Sequence, residues 1–385
     1  MDKTKELENA LSILNKLEEN GFEAYLVGGW VRDRLLGIDG KDIDITTNAV
    51  PEKVKELFPD NFSLSEKFQT VVVRIDDVNY EITTYRHDKR YKDHRHPITK
   101  VAKKLQDDVV RRDFTINALA MDKNLNVIDY VGGENDLKLH IIRAVGKAKR
   151  RFNEDALRMF RAFRFAARLG FSIEEDTYKG IVKNYHLVKT ISKERIRAEL
   201  EETISAPFFK RILSPMLESL IMDDLPELKE ALLHLKENYL PSSLIGIACL
   251  SAYLTGHETE EIILTRKEKK YLEDVLYFIG LLKDRNLAAY DLVDKDISAL
   301  YEAMNILSIE RQNPYDIKDV KRMEDSLPIK KSKDLKISGD EIKDLTGCER
   351  QDIKEYLSKL TEAVVYFKVE NNKKDLISYL KGIKI

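Results

Sequence analysis

The sequence predicts an α+β chain: an N-terminal mixed α/β head, a small sheet with flanking helices, followed by an all-α remainder. Three observations carry this. At 385 residues the chain exceeds one ordinary hydrophobic core. Short alternating segments punctuated by turn residues fill the stretch from Tyr25 to about Tyr130. After Gly132-Gly133 these fade, and from about residue 153 nearly everything repeats with helical periodicity.

The elements follow in order. Leu11, Ile13, Leu14 and Leu17 mark an amphipathic first helix that ends near Asn20-Gly21. Strands are expected at 24–27, 42–47, 70–75, 79–85 and 126–130. Helices are expected at 30–36, at 51–58, where Pro51 suits a first turn, and at 113–121. The stretch from Arg86 to Lys104 is strongly basic, poorly periodic and reads as a long loop. Pro207, Pro215, Pro241 and Pro314 punctuate the helical part as loop or helix-start residues. Ser338 with Glu341 forms a capping-box pattern opening a helix that Gly347 ends. Tyr356, Leu357, Leu360, Val364 and Phe367 read as core of the last helices, not as a base-stacking platform.

Composition narrows the function classes. A formal charge of −2 argues against a uniformly basic binder, although local charge still permits nucleic-acid contacts. Cys249 and Cys348 fit no metal spacing, which points to a reduced, cytoplasmic setting. No apolar run approaches a membrane span, and Met1-Asp-Lys-Thr-Lys-Glu lacks a signal-peptide core.

The chemistry concentrates between Tyr25 and Thr47. A strand leads into Gly28-Gly29, which opens a helix; there backbone N–H groups can approach phosphate, and Arg32 adds a guanidinium fork one turn in. In the next strand Asp42 and Asp44, two apart, project to one face while Ile43 and Ile45 face the core. Such paired carboxylates repel unless a cation such as Mg²⁺ bridges them to a triphosphate. An isolated Asp-x-Asp is commonplace, a solvated strand edge. Glu81, in a later strand, changes the weighing: a third carboxylate would complete a two-metal site. Asp155, Arg158, Arg161, Arg164 and Arg168 follow helical steps of three and four and share one face. A surface helix laced by ion pairs is the bland alternative. Four arginines without a lysine over 153–169 favour forked hydrogen bonding and stacking. His87-Asp88 imitates a phosphohydrolase dipeptide without its constellation, and His94 and His96 lack partners for zinc.

Together, Leu26-Val-Gly-Gly-Trp-Val-Arg-Asp33, Asp42-Ile-Asp44, Arg111-Arg-Asp-Phe-Thr-Ile-Asn-Ala118, Glu154-Asp155-x-x-Arg158 and Glu194-Arg195-Ile196 resemble the class II tRNA nucleotidyltransferases (CCA-adding enzymes) and the related bacterial poly(A) polymerases. The match in order and spacing spans roughly the first 200 residues, and Ile337-Ser-Gly-Asp resembles a C-terminal element of the bacterial enzymes. The resemblance implies a nucleotidyltransferase head over 1–137, a base-recognising neck over 138–204, a body over 205–312 and a tRNA-binding tail over 313–385. It implies that Asp42 and Asp44 hold Mg²⁺ with Glu81 as third carboxylate, and that Gly28, Gly29 and Arg32 meet the triphosphate. Arg112 and Asp113 would sit at the ribose. Asp155 and Arg158 would read the base, with Arg161 and Arg164 in support. CTP and ATP share an exocyclic amino donor beside a ring-nitrogen acceptor, which a carboxylate and a guanidinium complement; GTP and UTP reverse that order. The implied partner is tRNA, at its 3′ acceptor end and elbow, and no protein partner is implied. The rivals are a CC-adding or A-adding specialist, a poly(A) polymerase, and a non-catalytic RNA-binding protein. The unshortened Arg86–Lys104 stretch favours full CCA addition. Lys318, Lys321, Arg322, Lys330, Lys331 and Lys333 form a further basic region suited to backbone phosphate.

Overall fold

The computed structural model describes residues 3–40, 42–65, 69–91, 97–235 and 243–382. The chain divides into two compact units, Met1–Lys229 and Glu230–Ile385.

In the first unit, helix α1 (Lys3–Glu19) buries Ala10, Ile13, Leu14 and Leu17 along one stripe, as their spacing requires. Strand β1 (Ala24–Val27), α2 (Gly29–Leu35), β2 (Asp44–Thr47), α3 (Pro51–Leu57), β3 (Asn61–Ser65), β4 (Thr70–Ile75) and β5 (Val78–Thr84) follow. Next come β6 (Arg86–Tyr91), β7 (Pro97–Val101), α4 (Leu105–Val109), a 3₁₀ turn at Thr115–Asn117, β8 (Leu119–Met121), β9 (Val127–Asp129), α5 (Gly133–Leu139) and β10 (Ile141–Ile142). One seven-stranded sheet has the order β3-β4-β5-β2-β1-β8-β9. Within it β2 and β5 run parallel, and their register sets Asp44 opposite Glu81. Ile43, Ile45, Tyr80 and Ile82 are buried, as alternation requires.

Four local expectations change. The segment 113–121 is not a helix: it makes the 3₁₀ turn and then β8, whose Leu119, Ala120 and Met121 are all buried. A strand covered on both faces has a continuous apolar run, which imitates a helix at this length. The basic stretch 86–104, expected as a loop, contains two strands: β6 and β7 pair antiparallel as an arm, with Arg86 opposite Val101 and His87 opposite Lys100, while 92–96 lie outside the described residues. The polar run Arg86–Tyr91 conceals the period-two signal on which a strand assignment depends. Strand β3 was not expected, and β2 begins at Asp44, not at 42. His94 and His96 lie outside the described residues.

The unit continues through α6 (Ala148–Glu154), α7 (Leu157–Leu169), β11 (Ser172–Ile173), α8 (Glu175–Asn184), α9 (Lys193–Ile204) and α10 (Phe209–Glu218); the division between the units falls within α11 (Pro226–Leu233). Pro215 lies inside α10, where only loop or helix-start positions were expected; Pro241 falls outside the described residues. The expected single helix around Asp155 is two: α6 stops at Glu154, and Asp155 is extended, with φ −145° and ψ 107°.

The second unit holds α12 (Leu244–Thr255), α13 (Arg266–Lys283), α14 (Ile297–Ile309), α15 (Ile317–Asp325), α16 (Gly339–Thr346), α17 (Ile353–Val365) and α18 (Lys373–Leu380). Ser338 and Glu341 make the capping box of α16, and Gly347 ends it in the left-handed conformation. Leu360 and Val364 are buried with Ile342, Leu376 and Leu380. Phe367 departs from expectation: it lies beyond the end of α17 and is 73% exposed. Among the described residues no helix is long and apolar enough to cross a membrane.

Candidate active site

The site begins where β1 ends. Gly28 has φ +78° and caps α2, a conformation costly for any residue with a Cβ. A Cβ there would also stand 3.1 Å from Asp44 Oδ2 and 3.5 Å from Arg112 Nη1. The glycine thus admits a carboxylate and a guanidinium to the same corner. Gly29 follows as the first residue of α2, and both glycines line a cavity of about 570 Å³.

Asp44 and Glu81 face this cavity side by side on the parallel strands. Burial, and then the Glu81 carboxylate with a contribution from Asp42, raise the Asp44 carboxyl to about 6 against the pull of Arg112. Asp42 is exposed just before β2. Among the described residues no group of three or more His, Cys, Asp and Glu could hold a metal by itself. The donors still suit a hard divalent cation: they are all carboxylate oxygens, their mutual repulsion falls when a cation sits between them, and Mg²⁺ completes its shell with water and phosphate.

The same cavity is lined by a bank of arginines. Arg32, Arg86, Arg111, Arg112, Arg158, Arg161, Arg164, Arg168 and Arg195 line the cavity, against only four acids, Asp44, Glu81, Asp113 and Asp155. Such an excess of guanidinium favours a polyanionic ligand. Asp113 is buried; it accepts from the Phe114 amide at 2.8 Å and from Arg161 Nε at 2.8 Å. Burial raises its carboxyl, but Arg161 outweighs this and leaves it at about 2. Arg164 pairs with Glu199 at 2.6 Å. Phe165 lies beneath three guanidiniums, those of Arg32, Arg161 and Arg164, at 5.2, 5.4 and 4.3 Å from its ring centre.

The structure brings the predicted residues Gly28, Gly29, Arg32, Asp44, Glu81, Arg112, Asp113, Asp155, Arg158, Arg161 and Arg164 to one cavity. Asp42 is not among its lining residues. Two environments differ from expectation. Arg32 is buried, its fork taken by Asp33 Oδ1 at 2.7 Å and Asn117 Oδ1 at 2.6 Å, and so braces the glycine turn instead of projecting freely. Asp155 and Arg158 are not paired along one helix. Asp155 accepts from Arg195 Nη2 at 3.1 Å, whereas Arg158 donates to Glu154 at 3.3 Å and to the Arg111 carbonyl at 3.3 Å. Arg195, Asn117, Glu199 and Phe165 were missed as site residues. Arg195 and Asn117 sit within motifs already singled out, so a signal existed; Glu199 and Phe165 become visible only when α7 packs on α9.

The fold and site define the class as a nucleotidyltransferase. Residues 24–143 match the family model of the poly A polymerase head domain, and residues 260–380 match that of tRNA nucleotidyltransferase domain 2. The chain is 35% identical to a CCA-adding enzyme of Streptococcus pneumoniae, over 98% of each. It is 37% identical to one of Ligilactobacillus salivarius, over 98% of this chain and 97% of that protein. The crystal structure of the Bacillus stearothermophilus CCA-adding enzyme in complex with CTP superposes with a TM-score of 0.82 at 32% identity, covering 98% of this chain and 97% of the other. The chain belongs to the family of CCA-adding enzymes. Nucleotidyltransferases of this family generally use a divalent metal.

Proposed function

We propose that this chain adds C, C and A in turn to tRNA 3′ ends without a nucleic-acid template, from CTP and ATP, in the cytoplasm. The observation that carries this reading is the Asp44–Glu81 pair sharing one cavity with nine arginines. Mg²⁺ held by Asp42, Asp44 and Glu81 would supply charge stabilisation at the attacking 3′ hydroxyl, the α-phosphate and the departing pyrophosphate. Gly28 and Gly29 receive the triphosphate close to the backbone, with Arg32 fixing the turn. Arg112 and Asp113 meet the ribose. Asp155 accepts from the amino group shared by cytosine and adenine, and Arg158 donates to the adjacent ring nitrogen; Arg161 and Arg164 hold that wall in place. For this to happen, Asp155 must exchange its Arg195 partner for the base. The arm at Arg86–Val101 supports full CCA addition over CC addition alone. The second unit, through its local basic region at Lys318, Lys321, Arg322, Lys330, Lys331 and Lys333, is the part that holds the tRNA body.

The test is label transfer from α-labelled CTP to tRNA lacking its CCA end. Incorporation should require Mg²⁺, release pyrophosphate and vanish in Asp44→Asn. Label transfer that survives Asp44→Asn would refute the assigned chemistry.

A further inference from the structure

Asp108 is a fully buried carboxylate on α4 for which nucleotidyl transfer itself has no use. Its surroundings are unusually specific. Oδ1 accepts from Arg111 Nη2 at 2.5 Å and Nε at 3.1 Å, and from the Arg86 backbone N–H at 3.2 Å. Oδ2 accepts from Arg112 Nη2 at 3.3 Å. Arg111 Nε in turn donates to the Arg86 carbonyl at 3.2 Å, so the Arg86 residue is held at both its N–H and its C=O.

Arg86 is the first residue of the arm. It pairs with Val101, and the Ala102 N–H donates to the Tyr85 carbonyl at 2.8 Å, so this is where the arm joins the head. Arg112, on the other oxygen of the same carboxylate, reaches the corner between Gly28 and Asp44. One buried carboxylate therefore touches both the root of the arm and a guanidinium of the nucleotide cavity. We propose that Asp108 is a positioning residue that couples the arm to Arg112, so that nucleotide bound in the cavity and the arm's backbone report on each other. The inference rests on the cavity being the nucleotide site and extends that reading from the reacting atoms to the element beside them.

The geometry explains why a carboxylate is used. A neutral amide offers one acceptor oxygen and presents N–H where the second guanidinium now donates. Asp108→Asn thus retains shape but cannot hold Arg111, Arg112 and the Arg86 amide together. Arg111→Lys keeps a positive partner for Asp108 but loses the planar fork that reaches the Arg86 carbonyl.

The experiment is amide hydrogen exchange of the full chain with and without CTP and Mg²⁺, read on peptides covering residues 86–91 and 97–101. In the wild type CTP should slow exchange in the arm. In Asp108→Asn that response should be lost, while added CTP still protects the Gly28–Arg32 segment. CTP addition to tRNA lacking CCA, run in parallel, should fall about tenfold or more in kcat with a smaller change in KM for tRNA. Should Asp108→Asn fail to fold, Arg111→Lys must show the same lost response. An arm that responds to CTP in the variants as in the wild type, or does not respond in the wild type, overturns the proposal. Coupling without any nucleotide transfer to RNA would instead leave it standing and overturn the functional reading.

Discussion

At Asp113 the sign of the shift is set by its partners, since burial alone would raise the carboxyl and Arg161 brings it down to about 2. A folded value below the ordinary 3.8 means that ionised Asp113 stabilises the fold above the ordinary value. That contribution is lost as the pH falls through the folded value. Asp113→Asn should therefore cost about 2 kcal/mol at neutral pH. Its acid limb, followed by thermal melts between about pH 4 and about pH 2, should be flatter than that of the wild type. For Asp155 the proposed task is choice of the base. Asp155→Ala should leave transfer in place but raise incorporation of GTP and UTP relative to CTP and ATP by about tenfold or more, because no acceptor then opposes the wrong edge. Primer extension with each nucleotide singly checks this, and unchanged selectivity would contradict the assignment. The identities of these residues were legible in the sequence because each sits in a short ordered motif. Their partners were not. Nothing near Asp155 in the chain announces Arg195, forty positions on, which meets it only through the packing of α7 against α9.

Elements were legible in proportion to the clarity of their period. The stripe of α1 and the capping box of α16 each follow from local rules and need no tertiary help. The segment 113–121 failed because β8 is covered on both faces, and the arm failed because β6, Arg-His-Asp-Lys-Arg-Tyr, has no apolar alternation. The extended break at Asp155 was hidden for a third reason: its neighbours are good helix formers on both sides. The β1–α2 turn is where local geometry and chemistry meet most tightly. Gly28→Ala should destabilise by about 1–3 kcal/mol, because φ +78° with ψ −143° is a backbone region that essentially only glycine occupies. It should also reduce nucleotide addition more than that loss explains, because the new Cβ displaces Asp44 or Arg112. Thermal denaturation alongside kcat separates the two effects, and a fully active Gly28→Ala would show that the close approach is unnecessary.

On the scale of the whole molecule, every residue lining the arginine-rich cavity falls within the first compact unit, between Val27 and Arg195. A fragment comprising residues 1–229 should thus bind CTP within about threefold of the full chain, while its KM for tRNA rises about tenfold or more through lost phosphate contacts. Isothermal titration with CTP and steady-state addition assays give the two numbers. Equal losses of both would mean that the second unit shapes the nucleotide site. The central claim is the ordered, template-free addition of three nucleotides, and one reaction tests it most directly. tRNA lacking its CCA end is incubated with Mg²⁺ and each nucleoside triphosphate singly, then with CTP and ATP together, and the products are sized at single-nucleotide resolution. The account predicts growth by two residues with CTP alone, by three with CTP and ATP, and no extension by GTP or UTP. A product that stops at CC in the presence of both nucleotides, or that grows into a long run of A, would contradict it.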